Sequence, residues 1–143
     1  MAQSFTVSAT PHLRDSTDIP RIMYSVLAAL TPALIGAVYF FGIQALILIV
    51  LCVVTCVGTE AAIQRVSGKP LTIRDGSAAV TGVLLAFNLP AGVSWWIPVA
   101  GSLFAVAVGK MTFGGLGYNP FNPALLGRVF LLMSWPVQMT TTW

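Results

Sequence analysis

The chain has 143 residues, of which 57% are hydrophobic and only 8% charged, and its mean hydropathy is +0.87. Soluble domains carry about a quarter charged residues, so this composition excludes an ordinary soluble fold and reads as an all-α polytopic membrane protein. Seven Lys and Arg against four Asp and Glu give a net charge of +3, too little for a nucleic-acid surface, so the expected partner is the lipid bilayer and the charges belong at its edges.

Residues 1–21 read as a polar tail carrying His12, Arg14, Asp15 and Asp18. The tail has no basic n-region, apolar h-region and small-residue cleavage site, so it is expected to survive as a cytoplasmic segment. Residues 22–143 then read as one membrane domain. Ile22 to Phe41 is a run of 20 uncharged residues, which at 1.5 Å per residue covers about 30 Å, enough for the hydrocarbon core. Pro32 lies inside that run as a point of bending.

Gly42 leaves room for only a tight turn, and a second helix is expected over 43–66. Cys52 and Cys56 share a face of it as small packing residues. Glu60, Gln64 and Arg65 in its last turns read as an emerging, solvated helix end and not as an ion site. After the polar loop 67–77, an apolar run to Leu89 predicts a third helix over about 76–89. Its uncharged core spans only about 18 Å, too short to cross alone. A fourth is expected over 95–110, anchored by Trp95 and Trp96 at an interface, and a fifth over 122–135, closed by Pro136.

Between the fourth and fifth helices lies FGGLGYNPFNPALLGR, residues 113–128, the one place where Gly, Pro and Asn crowd together. Its glycines permit turns that side chains forbid, and Pro120 and Pro123 fix φ. Asn119 and Asn122, three apart, each offer an amide that donates and accepts. A carboxamide pair on proline-stiffened backbone suits a planar polar ligand such as the edge of a flavin ring. N-capping with Pro123 at the first helical position explains Asn122 by itself, and leaves Asn119 without a role.

The third and fifth runs share a pattern, with Ser77, Ala79 and Gly82 at the same spacing as Asn122, Ala124 and Gly127. Short Gly/Pro-bounded segments in matching positions point to broken helices and to one half of an inverted repeat around a membrane-embedded site. Thr81 and Gly82 are on that basis second-wall residues opposite the Asn loop. Arg128, two turns into the fifth helix, is either a functional cation or a snorkelling one. Counting Arg14, Arg21, Arg65, Lys69, Arg74 and Lys110 on one side and none on the other, the positive-inside rule predicts a cytoplasmic N-terminus.

SVLAALTPALIG, RDGSAAVTGVLLAFNLP, FGGLGYNPFNPALLGRVFLLMSWP and PVQMT together resemble the RnfD family, the D subunits of the Rnf or SoxR-reducing complex. The B subunit of the sodium-translocating NADH:quinone oxidoreductase is similar more broadly. The resemblance implies a bacterial inner-membrane subunit of an ion-translocating complex. That complex moves electrons between ferredoxin and NAD and couples them to Na⁺ or H⁺. It implies other membrane and redox subunits as partners, and FMN and riboflavin as cofactors. The match corresponds to the N-terminal half of the family's length, and the family's FMN-bearing threonine, in a Ser-Gly-Ala-Thr-like motif, is expected outside it. A flavin role carried to this chain falls on Asn119, Asn122, Thr81, Gly82 and Arg128. With one His and no acid pair in an apolar run, no self-contained catalytic site and no metal site are expected. The competing classes are a small-solute channel or transporter half and a non-redox membrane scaffold, neither of which needs a chromophore.

Overall fold

The computed structural model describes residues 18–142, and the tail residues His12, Arg14 and Asp15 lie outside the described residues. Among the described residues every regular element is helical. The helices are α1 (Ile19–Phe41), α2 (Ile43–Val66), α3 (Ser77–Ala86), α4 (Trp96–Val106), α5 (Pro123–Ser134) and α6 (Pro136–Thr141). Only α1 and α2 are long and apolar enough to cross a membrane individually. Pro20 opens α1, where a missing N–H costs nothing, and the helix runs on through Pro32.

The second helix is the spine of the bundle, because α1, α3 and α4 all pack against it. Its buried face follows i, i+3, i+4 spacing through Ala45, Leu48, Ile49, Cys52, Cys56, Thr59, Glu60 and Gln64, the stripe of a helix with one side in a core. Leu48, Ile49 and Cys52 meet Val83 and Leu85 of α3, Ile97 and Ala105 of α4, and Leu131 of α5 in one apolar cluster.

Two glycines set how closely the short helices approach. A Cβ at Gly82 would come within 2.6 Å of the Val53 backbone, and one at Gly127 within 2.9 Å of both Gly101 O and Ala105 Cβ. Small residues at membrane helix contacts permit this kind of backbone approach. The matched glycines of the third and fifth runs therefore both serve packing, α3 onto α2 and α5 onto α4.

The third helix stops at Ala86, short of Leu89, and residues 87–95 continue as turns toward the far end of the bundle. A sixth helix not expected from the sequence follows α5. Trp135, at φ −137° and ψ 63°, breaks the helix and Pro136 starts a new one. The Gly92 N–H donates to Thr142 O at 3.0 Å and ties that end together. Arg21, Arg65, Lys69 and Arg74 are all exposed at the end that holds the start of α1. Residues 87–95 and 135–142, at the opposite end, include no charged residue, and the cation that reaches that end among the described residues is Arg128, through Asn88.

Candidate functional site

The charged end of the bundle contains a buried polar network. Lys110 Nζ lies 2.7 Å from Glu60 Oε2 and donates to Ser77 Oγ at 2.6 Å. Glu60 and Lys110 are each 1% exposed. Ser77 in turn donates its hydroxyl to Asp75 Oδ1 at 2.6 Å, and Asp75 also accepts the Ser77 N–H at 2.8 Å, capping the start of α3. On the other flank Gln64 Nε2 donates to Glu60 Oε1 and to Thr72 Oγ1, while Thr72 N–H returns to Gln64 Oε1 at 2.9 Å.

The solvated helix end expected at Glu60 and Gln64 is thus a sealed core position. The 67–77 loop folds back over α2 and removes both side chains from water, while Arg65, one step round the helix, stays exposed. Lys110, counted among the edge cations, is likewise interior. It reaches there because the chain from Ala107 to Met111 is a π-helical segment. One extra residue in the turn rotates the side chains that follow, and such bulges concentrate at functional sites.

Beside this network lies a cavity of about 200 Å³ whose polar lining is Ser77, Thr81, Lys110, Asn119 and Asn122, with Met23, Val80, Leu84, Leu116 and Pro123 as apolar wall. Three of the residues singled out from the sequence, Asn119, Asn122 and Thr81, therefore converge on it. Asn122 N-caps α5 by accepting the Ala124 N–H on Oδ1 at 2.9 Å, and its Nδ2 has no partner among the described residues. Asn119 uses Nδ2 on Phe121 O at 2.8 Å and keeps its Oδ1 unbonded among the described residues. The Thr81 hydroxyl donates to Ser77 O at 2.9 Å.

Gly82 and Arg128 do not line this cavity. Gly82 faces α2 as described, and Arg128 reaches toward the other end of α3, where Nη1 donates to Asn88 O and lies 3.5 Å from Asn88 Oδ1. The arginine therefore neither snorkels to the charged end nor joins the Asn loop. It sits on the turn just after α3, where its charge complements the helix dipole while the last carbonyls of α3 are taken by Phe87, Asn88 and Leu89.

A second cavity, of about 520 Å³, opens on the other side of the ion pair and is lined by Glu60, Gln64, Lys69, Thr72, Arg74 and Asp75 among others. The Glu60–Lys110 pair and Leu116, which lines both, stand between the two spaces. Glu60 borders the larger one and Lys110 the smaller.

Residues 6–143 match the NQR2, RnfD, RnfE family. The chain belongs to this family. It is 55% identical over 139 residues to the D subunit of the Na⁺-translocating ferredoxin:NAD⁺ oxidoreductase complex of Acetobacterium woodii, covering 97% of this chain and 44% of that protein. It is 47% identical over 137 residues to the D subunit of the proton-translocating ferredoxin:NAD⁺ oxidoreductase complex of Clostridium ljungdahlii, covering 96% and 41%. The D subunit of the ion-translocating oxidoreductase complex of Klebsiella pneumoniae is 42% identical over 139 residues, covering 96% and 40%. The chain spans less than half the length of these RnfD-type relatives. The ion pair and the Asn cavity both fall in the part of the RnfD-type sequence that this chain spans.

Proposed function

We propose that this chain is part of the membrane subunit of an ion-translocating electron-transport complex that moves electrons between ferredoxin and NAD through flavins, coupled to Na⁺ or H⁺ translocation. The observation that carries the reading is the 55% identity, across 97% of the chain, to the D subunit of a ferredoxin:NAD⁺ oxidoreductase complex. Its partners are the other membrane and redox subunits of that complex, and its activity as an oxidoreductase belongs to the assembly. The exposed cations Arg21, Arg65, Lys69 and Arg74, all at one end, support a cytoplasmic N-terminus in a bacterial inner membrane.

Asn119, Asn122 and Thr81 are the proposed flavin contacts. The unused groups of the cavity fit the role chemically. Asn122 Nδ2 donates, Asn119 Oδ1 accepts, and the Lys110 ammonium, with two of its three N–H groups committed to Glu60 and Ser77, has a further donor. Two donors and one acceptor complement the carbonyl, N–H, carbonyl edge of a flavin pyrimidine ring. At about 200 Å³ the cavity is smaller than the roughly 300 Å³ at which pockets for whole small molecules begin. It therefore suits one edge of a planar ligand, riboflavin or the ring of an FMN whose threonine anchor lies outside this chain. A flavin held there supplies electron transfer, and the residues supply orientation and a polar rim in an otherwise apolar setting.

The test is the flavin content of the complex purified from native membranes carrying Asn119→Ala together with Asn122→Ala. Loss of noncovalently bound flavin, with the covalent FMN retained, is expected. Unchanged noncovalent flavin would remove the cavity from the reading.

A further inference from the structure

Lys110 has a position that a purely structural ion pair does not require. Buried pairs stabilise weakly, since two apolar side chains of similar volume often fill the same space equally well. Here a π-helical segment turns Lys110 inward. The ammonium borders the Asn cavity while its counter-charge, Glu60, borders the larger space. Ser77, the second acceptor of Lys110, also lines the Asn cavity.

We propose that Lys110 is the charge-compensating donor of the Asn cavity and that Glu60 sets how much of its positive charge the cavity feels. This rests on the flavin reading above, in which Lys110 is a donor, and adds charge compensation to its role and a tuning role for Glu60. Reduction adds negative charge to a flavin. Lys110 is itself 1% exposed, and a cation held away from bulk water favours a nearby negative charge more than one in solution does. Glu60, 2.7 Å from the same ammonium, opposes the effect. Any shift of Lys110 toward the cavity weakens its hold on Glu60, so charge arriving in the smaller space is felt in the larger one, where Gln64 and Thr72 already donate to the other oxygen of the carboxylate. The pair thus links the two spaces electrostatically.

The experiment is a redox titration of the noncovalent flavin in the purified complex, comparing wild type, Glu60→Gln, and the double variant Glu60→Gln/Lys110→Met. The double variant is preferred to Lys110→Met alone because it leaves no buried carboxylate without a partner. Glu60→Gln is expected to raise the ratio of reduced to oxidised flavin at fixed potential about tenfold, an upward shift of about 59 mV for a one-electron step. The double variant is expected to fall below Glu60→Gln by at least as much, and Lys110→Arg, which keeps the charge, to stay near wild type. Opposite shifts from the two members of one ion pair are not what a merely structural role produces. Loss of flavin in the double variant but not in Glu60→Gln supports Lys110 as a donor to the ligand. Equal potentials in wild type, Glu60→Gln and the double variant, with flavin bound, overturn the proposal, as does loss of flavin from Glu60→Gln itself. Should the double variant fail to assemble, the absence of an upward shift in Glu60→Gln still overturns it. The Asn119→Ala/Asn122→Ala complex, measured alongside, separates the two readings. Flavin retained there defeats the cavity assignment, whereas flavin lost there, with potentials unmoved by Glu60 and Lys110 variants, defeats only the role of Lys110.

Discussion

The two ends of α3 solve the same problem by different means. A short helix inside a membrane has unpaired N–H groups at its start and unpaired carbonyls at its finish, and no water to satisfy them. At the start, Asp75 accepts the Ser77 N–H and joins a network running through Ser77, Lys110, Glu60, Gln64 and Thr72, in which the buried ammonium faces a buried carboxylate. At the finish the carbonyls of Val83, Leu85 and Ala86 are taken by the N–H groups of Phe87, Asn88 and Leu89, the Asn88 side chain donates to Leu84 O at 2.8 Å, and a single cation, Arg128, sits on Asn88 O just beyond. The first arrangement is closed and coupled to two cavities; the second is open on one side, since Arg128 remains half-buried. A network whose charges are mutually compensated fails when one member goes. A lone cation against a helix end fails gradually.

The largest expected effect follows from that difference. Removing one member of the Glu60–Lys110 pair, as in Glu60→Ala, strands a buried charge and costs about 3–5 kcal/mol, by the general behaviour of broken buried pairs. Thermal stability of the purified complex, followed by retention of assembled subunits after heating, should drop sharply. The double variant Glu60→Ala/Lys110→Met should recover most of the loss, since the two sites are in direct contact and their effects are not additive. Single and double variants destabilised by simple addition would show that the network is several independent bonds and not one unit.

How far the two ends are legible in the sequence differs for physical reasons. The Asn loop stands out because Gly and Pro dictate backbone locally, so Asn122 as an N-cap and the convergence of Asn119 on the same turn are consequences of neighbours in the chain. The bundle's spine is legible too, since apolar length decides what crosses a bilayer. Glu60 reads as solvated because its burial depends on the 67–77 loop returning over α2 and on Lys110 arriving from 50 residues away, neither of which leaves a local signature. One signal exists. Cys52 and Cys56 already mark the inward face, and continuing by four residues along the same stripe lands on Glu60 and then Gln64. The π-helical turn that aims Lys110 carries no recognisable pattern in VAVGKM, and Gly109, packed 3.2 Å from Pro123 Cα at the position a Cβ would take, is its nearest trace. The sixth helix follows from Pro136, which ends one helix and starts the next, a double role that an expectation of five helices leaves out.

At the other end of α3, Arg128→Met removes the cation from the carbonyl terminus and is expected to cost about 1–2 kcal/mol, in the upper range of partly buried charge–dipole effects. Arg128→Lys should restore part of this, because a lysine is a point charge without the planar fork of donors. The same thermal assay applies, and flavin content should remain at the wild-type level in both variants, since Arg128 lies outside the Asn cavity. Loss of noncovalent flavin in Arg128→Lys with stability intact would break the separation between the two ends and bring the arginine into the ligand's surroundings.

The smallest effect on stability sharpens the comparison most at the Asn cavity itself, where one residue has two functions. Asn122 caps α5 through Oδ1 and leaves Nδ2 directed to other work. Replacing it with Ala removes both and should cost about 1 kcal/mol, the usual loss of a cap. Replacing it with Ser keeps an oxygen able to accept the Ala124 N–H, so stability should stay within a few tenths of a kcal/mol of wild type, yet the amide donor is gone. If the donor contacts a flavin, both variants lose noncovalent flavin while only Asn122→Ala loses stability. If Asn122→Ser keeps its flavin in full, the capping role accounts for the residue completely, and Asn119, Thr81 and Lys110 must hold whatever the cavity binds without it.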